Sequence, residues 1–149
     1  MRPTFEYCSN LWSPYRISDI VLIESVQKRF TKRLNYMSEL QYADRLKELK
    51  AEPLEKRRLK CDMLMYYKII HGLIDLPVED FFSFRNGVTR NNGACIYRGP
   101  FQSNAERYYF NNRGINAWNA LPSSVVNAAS PFIFKRLLEN IDFSKFLRP

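Results

Sequence analysis

Residues Arg107–Val126 read RYYFNNRGINAWNALPSSVV and predict the helix on which the rest of the fold packs. Ser103 followed three residues later by Glu106 forms a capping box at its start. Pro122 ends it, because proline cannot continue a helix. The residues expected to face the core recur at the spacing of one helix face, and they are Phe110, Gly114, Ile115, Trp118 and Leu121.

The same spacing predicts helices in four other segments, roughly residues 20–37, 38–50, 53–71 and a last one from 131. Their starts are marked by Asp19, by Ser38 with Gln41, by Pro53, and by Ser130 with Pro131, while Gly72 closes the third. The expected inward faces are Ile23, Val26, Phe30, Leu34 and Met37 in the first helix, Leu59, Met63, Tyr66, Ile70 and Leu73 in the third, and Phe134, Leu137, Leu138 and Ile141 in the last. The ending DFSKFLRP is expected to be a loosely held tail.

Residues 83–102 have a different character and predict an irregular loop. Turn signals interrupt them at Asn86-Gly87, Asn92-Gly93 and Gly99-Pro100, and ACIYR is the only stretch that favours an extended backbone. The sequence therefore predicts an all-α fold: a bundle of four to five amphipathic helices in a single domain, with one arginine-bearing loop and little or no sheet.

Positive charge is the compositional property that points to a function. The 149 residues carry a formal net charge of +8, and 46% of them are hydrophobic. Between Lys28 and Lys60 there are 11 basic residues against 5 acidic ones. Such an excess attracts polyanions such as nucleic acid, although solvated helix faces account for it equally well.

Arginine and lysine side chains outside the apolar faces are the candidate contacts. Lys28 and Lys32 are expected to project from the solvent side of the first helix. Arg107 and Arg113 lie outside the apolar face of Arg107–Val126, which we call the central segment, and are expected to be free to meet solvent or a phosphate. Arginine's planar guanidinium suits bidentate contact with phosphate. The candidate nucleic-acid-binding residues are Lys28, Arg29, Lys32, Arg33, Arg57, Arg58, Lys60, Arg90, Arg98, Arg107 and Arg113.

The sequence offers little for catalysis, metal binding or a cofactor. It has no G-x-x-x-x-G-K-[ST], no G-x-G-x-x-G and no G-x-S-x-G motif. The closest acidic pair, Glu79-Asp80, suits the start of a helix. With a single histidine, His71, and no C-x-x-C pair, no familiar zinc site can form. His71 is expected to play a structural role in the last turn of its helix. The cysteines are expected to be unpaired thiols, and they are Cys8, Cys61 and Cys95.

Two observations bear on location. No apolar run reaches the roughly 18 residues needed to span a bilayer, and MRPTFEYCSN lacks the apolar stretch of a secretory signal. We therefore expect an intracellular protein, in the nucleus or the cytoplasm, with no membrane partner.

Four stretches together resemble a known family. They read RPTFEYCSNLWSPY (2–15), IVLIESVQKRFTKRL (20–34), ADRLKELKAEPLEKRRLKCDMLMYYKIIHGL (43–73) and FNNRGINAWNALPSSVVNAASPFIFKRLL (110–138). In order and spacing they closely resemble the C-terminal part of reverse transcriptases encoded by non-LTR retrotransposons, the LINE-like elements of the jockey and chicken-repeat kind. The most specific pieces are Arg2-Pro3, Glu6-Tyr7, Trp12-Ser13-Pro14, Val26-Gln27, Arg57-Arg58-Leu59, Tyr67-Lys68 with Gly72, and Phe110 through Leu121-Pro122.

The resemblance implies the end of a polymerase thumb and the helical region beyond it, which contact template RNA and nascent DNA. It implies a thumb-like helical part over residues 1–82, the loop 83–102, and a C-terminal helical part, 103–149, packing on the first. The catalytic aspartates of the RNA-directed DNA polymerase would lie in an upstream palm, so we expect a non-catalytic fragment of a transposable element's enzyme. The Cys-rich motif of some relatives is missing here.

Two other hypotheses remain open. The chain is either a helical protein-interaction module or a relic without selected activity, associating with itself or with upstream polymerase domains. The apolar surface would then involve Phe5, Tyr7, Trp12 and Tyr15. An independent enzyme is the least favoured hypothesis.

Overall fold

A computed structural model of the chain describes residues 6–85 and 94–148. Its α-helices are α1 (Ile17–Lys32), α2 (Tyr42–Glu48), α3 (Leu54–Ile70), α4 (Val78–Phe81), α5 (Asn104–Arg107), α6 (Phe110–Arg113), α7 (Ile115–Asn119), α8 (Ser123–Val126) and α9 (Pro131–Leu138), followed by a 3-10 turn at Ser144–Phe146. Within those residues the only β pairing is one antiparallel bridge between Phe84 and Ile96. The predicted all-α fold is confirmed, and Ile96 is the extended residue of the predicted ACIYR stretch.

The chain divides into two compact units, and the division falls inside α3. One unit comprises Met1–Arg58 with Leu147–Pro149, and the other comprises Leu59–Phe146. Each unit is described separately below. The second unit holds the large hydrophobic core.

The core of the second unit is built on the inward face of α3. Met63, Tyr66, Tyr67 and Ile69 are buried there. The ring of Tyr67 stacks on Phe134 of α9 with centroids 4.4 Å apart, and its hydroxyl donates to the carbonyl of Ala128 at 2.5 Å. The predicted central position of this helix in the core is confirmed.

The C-terminal end of α3 follows the predicted glycine stop. Gly72 has a φ of 63°, a left-handed conformation that glycine adopts without strain. The Leu73 N–H donates to the Lys68 carbonyl at 2.8 Å, and the Gly72 N–H donates to Ile69 at 3.1 Å. These bonds satisfy carbonyls that the helix end would otherwise leave free. Leu73 itself is exposed, so it does not extend the buried face as predicted.

The central segment is not one helix, contrary to the prediction. It forms α5, α6, α7 and α8 in succession. The Tyr66 hydroxyl donates to the Phe110 carbonyl at 2.7 Å and accepts the Gly114 N–H at 3.2 Å. A continuous helix would join these two backbone groups directly, so the inserted hydroxyl breaks the ladder between α6 and α7.

The inward face of the central segment is nevertheless as predicted. Phe110, Ile115, Trp118 and Leu121 are all buried, because the short helices turn the same residues toward α3. The Trp118 indole N–H donates to the Ala94 carbonyl at 3.0 Å. The capping role of Ser103 is confirmed, since its hydroxyl accepts the Glu106 N–H at 3.1 Å.

The last helix and the residues after it are firmly packed. Ser130 caps α9 by accepting the Ile133 N–H at 3.2 Å, as predicted. Phe134 and Leu138 are buried. Phe143 is also fully buried in the core, so the prediction of a loose tail is wrong.

Polar contacts contribute to the packing of the first unit, and the predicted inward face of α1 is only partly right: Ile23, Val26, Leu34 and Met37 are half-buried, but Phe30 is exposed. Gln27 and Thr31 are its buried residues, whereas Phe30 is 48% exposed. The Gln27 amide donates to the Glu52 carbonyl and to the Tyr42 hydroxyl, at 3.1 Å each. Because hydrogen bonds draw a glutamine inward, apolar periodicity misses this buried position.

Two predicted helix starts in the first unit are wrong. α1 begins at Ile17 after Arg16, with Asp19 inside its first turn, and it ends at Lys32. α2 begins at Tyr42 after Gln41, and the Ser38 hydroxyl bonds to the Glu39 carboxylate and caps no helix.

The break at Gly114 yields a test. A Cβ atom there would lie 2.7 Å from the Met63 Cε and 3.0 Å from the Tyr66 Cζ. We expect Gly114→Ala to lower the free energy of unfolding by about 1–3 kcal/mol through overpacking, measured by urea denaturation. Gly99→Ala is the control, because its Cβ would meet only Tyr97 at 3.7 Å. Equal stability of the two variants would contradict the proposed close packing.

Candidate nucleic-acid interface

The solvent side of α1 carries the most accessible of the candidate basic side chains. Lys28, Arg29, Lys32 and Arg33 are all exposed. Gln27 and Thr31 form the buried side of the helix. Lys28 and Lys32 are exposed as predicted, and the Lys28 ammonium lies 5.2 Å from the centroid of the Tyr42 ring. Among the described residues none of the four forms an ion pair with a carboxylate. We call Lys28, Arg29, Lys32 and Arg33 the α1 basic face.

The basic run at the start of α3 is different, because its side chains have partners within the protein. The Arg57 guanidinium lies 2.5 Å and 2.8 Å from the two carboxylate oxygens of Glu6. Arg58 is only 3% exposed, with its guanidinium 5.1 Å from the centroid of the Trp12 ring. These two arginines have partners within the first unit, so we no longer count Arg57 and Arg58 among the accessible candidate contacts.

Lys60 belongs to the second unit and is likewise engaged. Its ammonium lies 2.6 Å from a carboxylate oxygen of Glu139, and its side chain is only 10% exposed. A paired and largely buried ammonium contributes little to an external field, so Lys60 is corrected from a candidate contact to a structural residue.

Arg113 is also a structural residue, contrary to the expectation that its side chain is free. Its guanidinium donates two hydrogen bonds to the carboxylate of Asp62, at 2.8 Å and 2.7 Å. The Arg113 side chain is 12% exposed and Asp62 is buried. Asp62 lies one turn before Tyr66 on α3, so the contact that fixes Gly114 also brings this carboxylate to the end of α6.

Arg98 and Arg107 lie together on the second unit. Both line an open, mostly polar cleft of ≈ 520 Å³ whose other lining residues are Gly99, Phe101, Gln102, Ser103 and Asn104. We call it the arginine cleft. The Arg98 guanidinium lies 5.2 Å from the Phe101 ring centroid, and the Arg107 guanidinium lies 5.6 Å from that of Tyr108. The sequence indicated each arginine separately but gave no sign that they share one recess.

The position of Arg98 is set by two amide side chains of α7. The Asn119 side chain accepts the Ile96 N–H and donates to the Ile96 carbonyl, at 2.9 Å each. The side-chain amide oxygen (Oδ1) of Asn116 accepts a hydrogen bond from the Arg98 guanidinium at 3.1 Å. These asparagines were not singled out from the sequence, because their role depends on a segment more than fifteen residues away. The predicted contact Arg90 lies outside the described residues.

Three side chains have a raised pKa, and each shift has a structural cause. Burial, together with the hydrogen bond to Glu24, raises the pKa of Tyr42. Burial, reinforced by the negative charge of Asp62, raises the pKa of Tyr66. Burial raises the pKa of Glu55, an effect opposed by the N–H of Arg148. The two tyrosine hydroxyls therefore remain hydrogen-bond donors even in alkaline solution that would ionise an ordinary tyrosine.

The histidine and the cysteines occupy separate places. The His71 Nε2 lies 2.9 Å from the Val126 carbonyl, and the imidazole packs 4.2 Å from the Tyr67 ring centroid, which agrees with its expected structural role. The three cysteines are free thiols. Over residues 6–85 and 94–148, no group of three or more histidine, cysteine or acidic side chains is arranged to hold a metal ion.

Comparison with known proteins gives no relative. No protein-family model, no curated protein and no solved structure matches this chain. The likeness to non-LTR reverse transcriptases consequently depends on the motifs quoted from the sequence alone. In the part of the chain that the structure describes, no helix is long and apolar enough to cross a membrane.

The Asp62–Arg113 pair yields a prediction that separates structural from ligand-binding arginines. Arg113→Ala leaves the buried Asp62 carboxylate without its bidentate partner, so we expect a loss of about 3 kcal/mol in the free energy of unfolding. Arg107→Ala removes an exposed arginine and should change stability by less than about 0.5 kcal/mol. Guanidinium denaturation followed by circular dichroism measures both. If the two variants lose similar amounts of unfolding free energy, Arg113 has no structural role in the core.

Proposed function

We propose that this chain is the non-catalytic thumb and post-thumb portion of a non-LTR retrotransposon reverse transcriptase, and that it binds the phosphate backbone of RNA and DNA through the α1 basic face. The order and spacing of the quoted motifs support the first part of this proposal. The resemblance assigns the catalytic aspartates to an upstream palm, so we assign no catalytic role to any residue here.

The observation that carries the binding proposal is the arrangement of the α1 basic face. Lys28 and Lys32 lie one helical turn apart, about 6 Å along the axis, and Arg29 and Arg33 follow them at the same spacing. A nucleic-acid strand carries one negative charge per about 3.4 Å of duplex axis. The spacing of about 6 Å between basic residues on successive turns of α1 is therefore close to the distance between every second phosphate along one strand.

Binding of this kind neutralises phosphates and reads little sequence. Lysine and arginine contacts to phosphate release condensed counterions, which makes affinity fall as salt rises. The side chains of the α1 basic face are exposed, and phosphate contacts do not depend on the sugar or the base, so they suit either an RNA or a DNA backbone. We accordingly expect weak discrimination between the two.

A second candidate function is a protein-interaction module, and exposed apolar side chains support it. Tyr7, Leu11 and Leu22 are exposed, Leu11 to 83%. Tyr7 is held by the Trp12 indole, which donates to its carbonyl at 2.7 Å. Of the other predicted residues, Trp12 and Tyr15 are exposed and Phe5 lies outside the described residues. Exposed apolar clusters promote association with a partner or with a second copy.

The binding proposal is tested by a matched pair of double variants. Lys28→Gln/Lys32→Gln should weaken binding to a short RNA duplex and a short DNA duplex about equally, roughly tenfold. It should also lower the slope of log affinity against log salt by about 0.9 for each lost phosphate contact. Fluorescence anisotropy between about 50 and 200 mM salt gives both values.

Lys135→Gln/Arg136→Gln is the control, because it removes the same charge from exposed positions of α9. Both proteins should melt at the temperature of the wild type. Equal loss of affinity in the two variants would show attraction by net charge alone, and binding that is independent of salt would exclude the proposed mechanism altogether.

The protein-interaction function predicts a different response in solution. Light scattering should then give a mass that grows with protein concentration and is not reduced by raising salt, because apolar contacts are insensitive to screening. Leu11→Ser and Leu22→Ser together should restore a monomer. A monomeric wild-type protein at every concentration would remove this candidate.

A further inference from the structure

The arginine cleft suggests a ligand chemistry more specific than a charged helix face. It is an open cleft, its lining is mostly polar, and both of its arginines come from one continuous segment, residues 98–107. Arg107 is exposed, whereas Arg98 is partly buried and held by Asn116. Its volume of ≈ 520 Å³ is in the range of recesses that bind small ligands.

The charges around the arginine cleft favour an anion. The acid closest along the segment is Glu106, and its carboxylate accepts the Gln102 N–H at 2.9 Å. Among the described residues neither Arg98 nor Arg107 forms an ion pair with Glu106 or another acid. No carboxylate neutralises either guanidinium, so the N–H groups of Arg107, and those of Arg98 that Asn116 does not accept, can donate charge-assisted hydrogen bonds to a phosphate.

An aromatic ring adds a second element of recognition. Phe101 lines the arginine cleft and is half-buried, with the Arg98 guanidinium packed against its ring. Aromatic rings beside cations are the arrangement that binds single strands, because an unpaired base can stack while its phosphate is neutralised. Bases in a duplex are already stacked on one another and cannot enter such a recess.

We propose that the arginine cleft binds one nucleotide of a single-stranded nucleic acid, with a backbone phosphate between Arg98 and Arg107 and the base against Phe101. This inference rests on the proposed nucleic-acid function, and it assigns single strands to this cleft and duplexes to the α1 basic face.

The experiment compares a single-stranded oligouridine of about five nucleotides with a short DNA duplex, using the full chain. Arg98→Gln/Arg107→Gln should weaken oligouridine binding about tenfold and lower its salt slope by about 0.7 for each lost contact. Duplex affinity should change less than twofold. Glutamine at position 98 retains an amide donor for Asn116, and unchanged thermal melting confirms that the fold is intact.

Two further variants isolate the cleft from general electrostatics. Phe101→Leu alters no charge and should weaken oligouridine binding severalfold while leaving the duplex unaffected. Lys135→Gln/Arg136→Gln removes two exposed charges from α9 and should leave the preference for the cleft unchanged. Equal losses in the cleft and α9 variants would overturn the proposal.

The outcomes also separate this inference from the proposed function. Oligouridine binding that is lost in the α1 variant and kept in the cleft variant overturns the cleft and supports the α1 basic face. The reverse result supports the cleft, and the α1 basic face is then overturned only if its variant also leaves duplex affinity unchanged. If uridine monophosphate competes at the same concentration as the oligomer, the cleft binds a free nucleotide, and the proposal of a single-stranded ligand is overturned. Absence of all binding would overturn both proposals.

Discussion

The second unit depends on a single inserted hydroxyl. Tyr66 extends from the buried face of α3 and places its oxygen between the Phe110 carbonyl and the Gly114 N–H, so both backbone groups are satisfied although the helix between them is broken. The close approach is possible because Gly114 has no Cβ. From this break α6 and α7 diverge, and α7 then carries Trp118 into the core and its asparagines to the segment that bears Arg98.

Burial divides the positive charges into two groups with different roles. Arg57, Lys60 and Arg113 each meet a carboxylate, and Arg58 packs under an aromatic ring. Removing one partner of a buried ion pair destabilises the fold, because the other charge is left buried without compensation. These four basic residues therefore contribute to folding stability and not to ligand binding. Of the candidate contacts within the described residues, those that pair with no acid lie on α1 in the first unit and in the arginine cleft of the second. A large net charge alone would not have distinguished these groups.

The sequence was informative where a single element determines the outcome. The helical class, the glycine stop of α3, the serine caps of α5 and α9, and the inward direction of Phe110 and Trp118 all follow from local rules. It was only partly right for α1, where the predicted Phe30 is exposed and the buried position belongs to Gln27. The Gln27 amide bonds to Tyr42 of α2 and to Glu52, and such polar contacts leave no apolar periodicity to read. Likewise, no local pattern marks Asp62 as the partner of Arg113, since 51 residues separate them.

The sequence by itself determined that this chain folds into helices and carries a strong positive charge. Helix propensity, apolar spacing and charge are properties of neighbouring residues, so they are legible without a structure. Only the tertiary structure decided which basic residues are free to bind and which are paired, and only it brought Arg98 and Arg107 into one cleft. The physical reason is that ion pairs and recesses are made by residues distant in sequence, whose meeting depends on how the helices pack.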